Sequence, residues 1–175
     1  LNQAWRFFDR AVSCMPDEVS PARRYVALFA ASLLAADSGF DHAALILQDH
    51  AVAAAEGRGV ASAIVESLLR RATLRARLGD DESARVDLAR AESVSASVEG
   101  PLQQRYIMGW TARVRAEGRI REEPEQSVLA LTDDVFRFFR EFEPEQLPAL
   151  HLLRGRALRA IGVLDAASAS WRDGI

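Results

Sequence analysis

The sequence predicts an all-α protein of about nine helices, arranged as consecutive antiparallel helical hairpins. Three observations predict this fold class. A short apolar pattern recurs every 40 residues, glycines stand at a fixed distance before it, and no segment alternates apolar and polar residues for long enough to form a strand. Since 49% of the residues are hydrophobic, the chain can bury a core and is not a disordered protein.

The repeat consists of small and large residues at helical spacing i, i+4, i+7, all of them apolar except Gln48. Its copies are Ala4, Phe8 and Ala11; Ala44, Gln48 and Ala51; Ala84, Leu88 and Ala91; and Ala167, Trp171 and Gly174. The first three begin 40 residues apart, and the fourth begins 83 residues after the third, which leaves room for one irregular copy. Such spacing places the three side chains of each copy on one helical stripe, where they pack against a neighbouring helix.

Glycines precede the copies of the repeat by five residues. They are Gly39, Gly79 and Gly162, with Gly118 in the corresponding position of the irregular copy. Glycine commonly follows the last residue of a helix, so each of these four is predicted to end the helix before it. Each repeat unit is therefore a hairpin of two helices.

Helix starts follow from capping residues. Ser20 before Pro21 predicts an N-cap with proline in the first turn, and Pro101 predicts a second start of the same kind. The predicted helices cover about 20–38, 41–56, 60–78, 82–95, 101–117, 125–142 and 146–161, with one more at each end of the chain. They group into units of about 1–16, 20–56, 60–95, 101–142 and 146–175 within a single helical-repeat domain.

The run Gly155, Leu158, Gly162, Ala167 and Trp171 resembles the tetratricopeptide repeats at that family's small, large, turn, Ala and aromatic positions. Ala4, Phe8, Ala11 and Pro16 resemble its second helix and closing proline. The resemblance implies a right-handed α-solenoid. This chain departs from the family in its longer period and in placing Arg75 where a large apolar residue is expected, and armadillo and HEAT repeats remain the structural alternative.

The two ends of the sequence fall inside repeat units. Natural solenoids usually end in units with a polar capping face, whereas Trp5 and Phe8 stand near one end and Trp171 and Ile175 near the other. We therefore expect the chain to be an excerpt of a longer protein.

The resemblance also implies a binding surface, because tetratricopeptide arrays line their concave groove with the first helix of each unit. The corresponding positions are Glu66, Leu69, Thr73 and Arg77, then Arg105, Met108, Ala112 and Arg115, then Leu152, Arg156 and Arg159. Partner contacts are expected from Arg77, Arg105, Met108, Arg115, Leu152, Arg156 and Arg159. Arginine binds carboxylates in a planar, bidentate geometry, so such a groove would suit an acidic peptide. The alternative is that these arginines are solvated and pair with neighbouring Asp and Glu.

A second candidate surface is the aromatic segment 133–145. Phe136, Phe138, Phe139 and Phe142 lie within seven residues and cannot all face the same way on one helix. A wide core contact and a partly exposed patch for a partner are the two interpretations.

No motif for catalysis, a metal or a cofactor is present, and we expect none of the three. Cys14, His42, His50 and His151 stand outside any nucleophile or ligand pattern. His42 and His50 are eight residues apart on one predicted helix, or about 12 Å in rise, which is too far to bind one ion without a further element.

The expected environment is a bacterial cytoplasm. All 22 basic residues are Arg, a bias typical of GC-rich bacterial genomes, and a lone Cys cannot form an intrachain disulfide. The net charge of −3 disfavours nucleic acid as a partner. The apolar run over residues 25–36 is internal and too short to span a bilayer, so we expect no membrane segment.

The function predicted from these observations is that of a non-catalytic protein–protein interaction module, a scaffold that holds a peptide or a partner domain in its groove. Two alternatives stay open. The chain could be the regulatory or substrate-recognition arm of a larger bacterial enzyme, since its unit ends resemble those found upstream of CHAT-type protease domains. It could also be the ligand-sensing arm of a transcriptional regulator.

Overall fold

A computed structural model describes residues 19–175. Over this range the chain is all-α, with nine α-helices, one short 3-10 helix and no strand. The predicted helix within 1–16 and Cys14 lie outside the described residues. Contacts divide the chain into two compact units, the first ending at Val98 and the second spanning Glu99–Ile175.

The described part of the first unit, residues 19–98, contains four helices, each packed against the next. They are α1 (Pro21–Asp37), α2 (Asp41–Arg58), α3 (Ala61–Leu78) and α4 (Asp81–Ser95). The predicted start at Ser20 is confirmed, since its hydroxyl accepts a hydrogen bond from the Arg23 amide. Links of two to three residues between packed helices make each consecutive pair an antiparallel hairpin.

Three of the repeat glycines form the same helix end. Gly39, Gly79 and Gly162 have φ of 79°, 89° and 83°, the left-handed region that side chains with a Cβ rarely adopt. At Gly39, its amide donates to the carbonyl of Ala36 and the next amide, of Phe40, donates to that of Ala35. The same pair of bonds recurs at Gly79 and Gly162, which is the Schellman arrangement. The predicted role of these three glycines is confirmed.

The alanines of the repeat are buried. Ala44, Ala51, Ala84 and Ala91 are at most 3% exposed, which lets neighbouring helices approach closely. Gln48, the large residue of its copy, is also fully buried, and its amide donates to the Ser67 carbonyl at 3.1 Å. The helical stripe predicted from the spacing is therefore the packing face of α2 and α4.

The second unit contains five helices and the 3-10 helix. They are α5 (Pro101–Arg119), α6 (Pro124–Ala130), α7 (Asp133–Phe142), the 3-10 helix Pro144–Gln146, α8 (Leu147–Ala160) and α9 (Leu164–Asp173). Helix α5 packs against α6 and α7, α8 packs against α6 and α7, and α9 packs against α8. The core of the second unit is aromatic. The rings of Trp110 and Phe139 are arranged edge to face with their centres 5.3 Å apart.

Two predictions of helix boundaries in this unit are wrong. The helix predicted over 125–142 is divided between Ala130 and Asp133, because the Thr132 hydroxyl accepts a hydrogen bond from the Val135 amide and caps a new helix. The acidic first turn of α7 further favours this start. Gly118 does not end its helix either, since α5 continues through it to Arg119.

None of the helices in the described range combines the length and the apolar character that a bilayer-spanning segment needs. The right-handed solenoid and the division into repeat units stay predictions.

Candidate functional site

An open groove of about 620 Å³ lies along α5 within the second unit. One wall comes from α5 and the other from the end of α6 and the start of α7. The lining combines three cationic side chains, Arg105, Arg115 and Arg137, with apolar ones. Its size is in the range of ligand-binding clefts.

The α5 wall follows from helical periodicity. Arg105, Met108, Ala112 and Arg115 are spaced i, i+3, i+7, i+10, so they occupy one face of the helix and all line the groove. Met108 is 69% exposed, an unusual position for so large an apolar side chain. The predicted face of this helix is therefore an accessible surface of mixed cationic and apolar character.

A glycine brings the two walls together. Gly109 on α5 lies against the ring of Phe138 on α7, and a Cβ at this position would overlap the ring. Phe138 is 4% exposed and also lines the groove. The close approach of α5 and α7 therefore makes Phe138 part of the groove lining.

The second wall arises at the break between α6 and α7. Thr132, Asp134 and Arg137 line the groove from the first turns of α7, and all three are exposed. Asp134 and Arg137 form an ion pair at 3.0 Å. These residues are not among the predicted contacts, because a continuous helix was expected over 125–142. The signal for them in the sequence is the run of Thr132, Asp133 and Asp134, which is typical of a helix start.

Arg105 is held in place by two contacts with α7. Its Nη2 lies 2.9 Å from Oε2 of Glu141, and its guanidinium carbon lies 5.0 Å from the centre of the Phe142 ring. The two charged side chains are 46% and 51% exposed. Water therefore screens the ion pair, and the positive charge of Arg105 remains accessible at the edge of the groove.

The predicted contact residues fall into two sets. Arg105, Met108 and Arg115 lie together along the groove. Leu152, Arg156 and Arg159 are exposed on α8 and are not among the residues that line it, and Arg77 belongs to the first unit, where it pairs with Asp41 at 2.9 Å. A role of these four residues in binding stays a prediction.

Two of the positions carried over to the first unit, Leu69 and Thr73, are wrong as contact positions. Leu69 and Thr73 are at most 4% exposed, because this face of α3 packs inside the unit. The Thr73 hydroxyl donates to the carbonyl of Leu69. Glu66 accepts a hydrogen bond from the Tyr25 hydroxyl at 3.0 Å and so serves the packing of α3 on α1.

Most of the phenylalanine rings in the segment 133–145 lie in the core of the second unit. Phe136, Phe138 and Phe139 are at most 4% exposed, which confirms the core interpretation for these rings. Phe142 is 37% exposed and lies beneath the guanidinium of Arg105. Of the four rings, only Phe142 is thus exposed, at the edge of the groove.

Arg75, which departs from the repeat pattern, belongs to a charged cluster in the first unit. Its Nη1 and two nitrogens of Arg71 bind the carboxylate of Asp87 at 2.6 to 2.8 Å, and Asp87 is 2% exposed. Asp49 accepts from Arg71 on the more exposed side, at 3.0 Å. Burial alone would lower the pKa of Arg71, but hydrogen bonds and charge from Asp87 and Asp49 raise it above its ordinary value.

The histidines form no common site. His42 and His50 are exposed on α2, and His151 on α8 lies 4.7 Å from the Phe136 ring. Burial lowers the pKa of His151, and the nearby Arg154 and Arg140 lower it further. Over residues 19–175, no three His, Cys, Asp or Glu side chains are grouped as metal ligands.

No protein-family model, curated protein or solved structure matches this chain. The groove along α5 is therefore the feature of this chain that indicates a function.

Proposed function

We propose that this chain is a non-catalytic protein–protein interaction module that holds an acidic segment of a partner protein in the groove along α5. The observation that carries the proposal is the arrangement of Arg105, Met108 and Arg115 on one accessible face of α5, opposite Arg137. A cationic groove with an exposed apolar side chain at its centre is complementary to a peptide that carries both carboxylates and an apolar residue.

The ion pairs that arginines of the groove form within this chain are weak enough for a ligand carboxylate to replace them. The ion pairs of Arg105 with Glu141 and of Arg137 with Asp134 are both exposed, and pairs of this kind contribute at most about 1 kcal/mol. An incoming carboxylate can replace such a pair at little cost. Arginine also retains its charge at any physiological pH, so the groove stays cationic.

The tetratricopeptide-like repeat and its right-handed solenoid belong to the same proposal. Their support is the recurrence of one helix end at Gly39, Gly79 and Gly162 and the buried alanine that follows each of them by five residues. Hairpins of this kind supply a rigid surface, and a preformed groove loses little conformational entropy on binding.

The proposal is tested by fluorescence anisotropy with a labelled peptide rich in Glu and Leu. We expect the peptide to bind the protein at 50 mM NaCl, and the double variant Arg105→Glu, Arg115→Glu to weaken binding by about tenfold or more. Added salt should weaken binding to the unaltered protein, because the contacts are exposed.

The matched control is Arg85→Glu with Arg90→Glu, which changes the net charge equally on exposed positions of α4. This control should bind the peptide nearly as well as the unaltered protein. Equal loss in both double variants would mean that only net charge matters, and unchanged binding in the α5 variant would remove the groove from consideration.

A further inference from the structure

We infer that the groove selects a segment with one carboxylate on each side of an apolar residue. We also infer that Glu141 competes with that segment for Arg105. This inference depends on the proposed function, because it specifies the ligand of the same groove. The spacing of Arg105 and Arg115 sets the spacing of the ligand's charges, and Glu141 limits their binding.

The spacing follows from α5. Arg105 and Arg115 are ten residues apart on one face of the helix, which corresponds to about 15 Å along its axis. Met108 lies between them and is 69% exposed. An extended peptide covers about 15 Å in four to five residues, so its two acidic residues should be separated by that number.

The centre of the ligand should be apolar. Met108 and Ala112 line the groove between the two arginines, and methionine adapts its shape to different apolar partners. A side chain such as Leu at the middle of the segment would cover Met108 and remove its apolar surface from water. A polar residue at the same place would leave that surface without an apolar partner.

Glu141 already occupies the position that one ligand carboxylate would take. Its Oε2 lies 2.9 Å from Nη2 of Arg105, with both side chains about half exposed. Removal of the Glu141 charge would leave Arg105 supported by the Phe142 ring, 5.0 Å from its guanidinium carbon. The guanidinium would then remain oriented, with one competitor fewer for its hydrogen bonds.

The test measures the affinities of three labelled peptides of matched length. The first carries two Glu residues five positions apart with Leu between them, the second has the same composition with adjacent Glu residues, and the third has Ser in place of Leu. We expect the first to bind more tightly than the other two, by about threefold or more.

The same titrations use Glu141→Gln, with Glu145→Gln as the matched control. Both substitutions remove one negative charge, and Glu145 is exposed on the 3-10 helix and not among the lining residues. Glu141→Gln should tighten binding of the first peptide about twofold to fivefold, and more than Glu145→Gln does.

Each outcome of the test bears on one part of the inference. Equal affinities for the spaced and adjacent Glu peptides overturn the two-carboxylate selection while the groove still binds acidic segments. Equal effects of Glu141→Gln and Glu145→Gln overturn the competition. If no acidic peptide shows binding that depends on Arg105 and Arg115, the proposed function fails together with this inference.

Discussion

The arginines of α3 and those of α5 have opposite environments. On α3, Arg71 and Arg75 are 14% and 20% exposed and converge on Asp87, which is 2% exposed. On α5, Arg105 is 46% exposed and pairs with a Glu141 that is 51% exposed. The presence of an ion pair therefore does not decide whether an arginine is fixed in the fold or accessible to a ligand. The burial of its acidic partner does.

Both environments occur where a helix packs against a neighbouring helix of the same unit. Arg71 and Arg75 on α3 face α4, where the buried carboxylate of Asp87 balances their charge. It accepts three short hydrogen bonds from them. Loss of Asp87 would remove the buried charge that balances Arg71 and Arg75. An exposed pair that is broken is simply hydrated.

The largest expected effect is therefore that of Asp87→Ala. We expect it to lower the free energy of unfolding by about 3 kcal/mol, because Arg71 and Arg75 would keep their charge without their buried partner and retain only the exposed Asp49. Urea unfolding followed by circular dichroism measures the loss. Asp49→Ala is the control, since Asp49 contacts the same two arginines but is 48% exposed, and it should cost about 1 kcal/mol or less.

Equal losses in the two variants would contradict the importance of burial for the α3 cluster. The comparison with α5 would then lose its basis, because buried and exposed carboxylates would hold arginine equally well.

The next effect concerns the packing that forms the groove. Gly109→Ala should destabilise the second unit by about 1–3 kcal/mol, since its Cβ would overlap the Phe138 ring and force α5 and α7 apart. Gly118→Ala, in the same helix, has open space around its Cβ and should stabilise the protein by about 0.5–1 kcal/mol. Thermal unfolding of both variants compares them directly, and a stabilised Gly109→Ala would show that the contact is not tight.

Local signals were sufficient to predict most of the helices. Ser20 with Pro21 and the glycines at 39, 79 and 162 determine hydrogen bonds within a few residues, so the helix ends they predict agree with the structure to within one or two residues. The break at Thr132 was missed because a single capping hydroxyl competes there with a helical pattern that continues on both sides.

The site could be predicted only in part, since it depends on contacts between distant residues. The positions that the tetratricopeptide resemblance implies on α5, Arg105, Met108 and Arg115, do lie together along the groove. The resemblance does not reveal that Leu69 and Thr73 on α3 are buried, because that depends on how α3 packs within its unit. The contribution of Arg137 likewise depends on the start of α7, which the prediction of one continuous helix had hidden.

The smallest effect is expected at His151, a side chain of intermediate burial. His151 is half-buried against Phe136, and its pKa is lowered by burial first and then by Arg154 and Arg140, with Asp173 acting in the opposite direction. The folded protein therefore favours neutral His151. In the unfolded chain the pKa returns to about 6.5, so the unfolded state binds the proton more readily at mildly acidic pH.

Stability linked to His151 should be fully present above about pH 6.5 and decrease as the pH falls toward the lowered value of the folded state. We expect the difference in Tm between pH 7.5 and pH 5.5 to be smaller in His151→Gln than in the unaltered protein. His42→Gln, which changes an exposed histidine of α2, is the control and should leave that difference as it is. If His151→Gln behaves like the control, partial burial beside arginines is too weak to influence the protonation of this histidine.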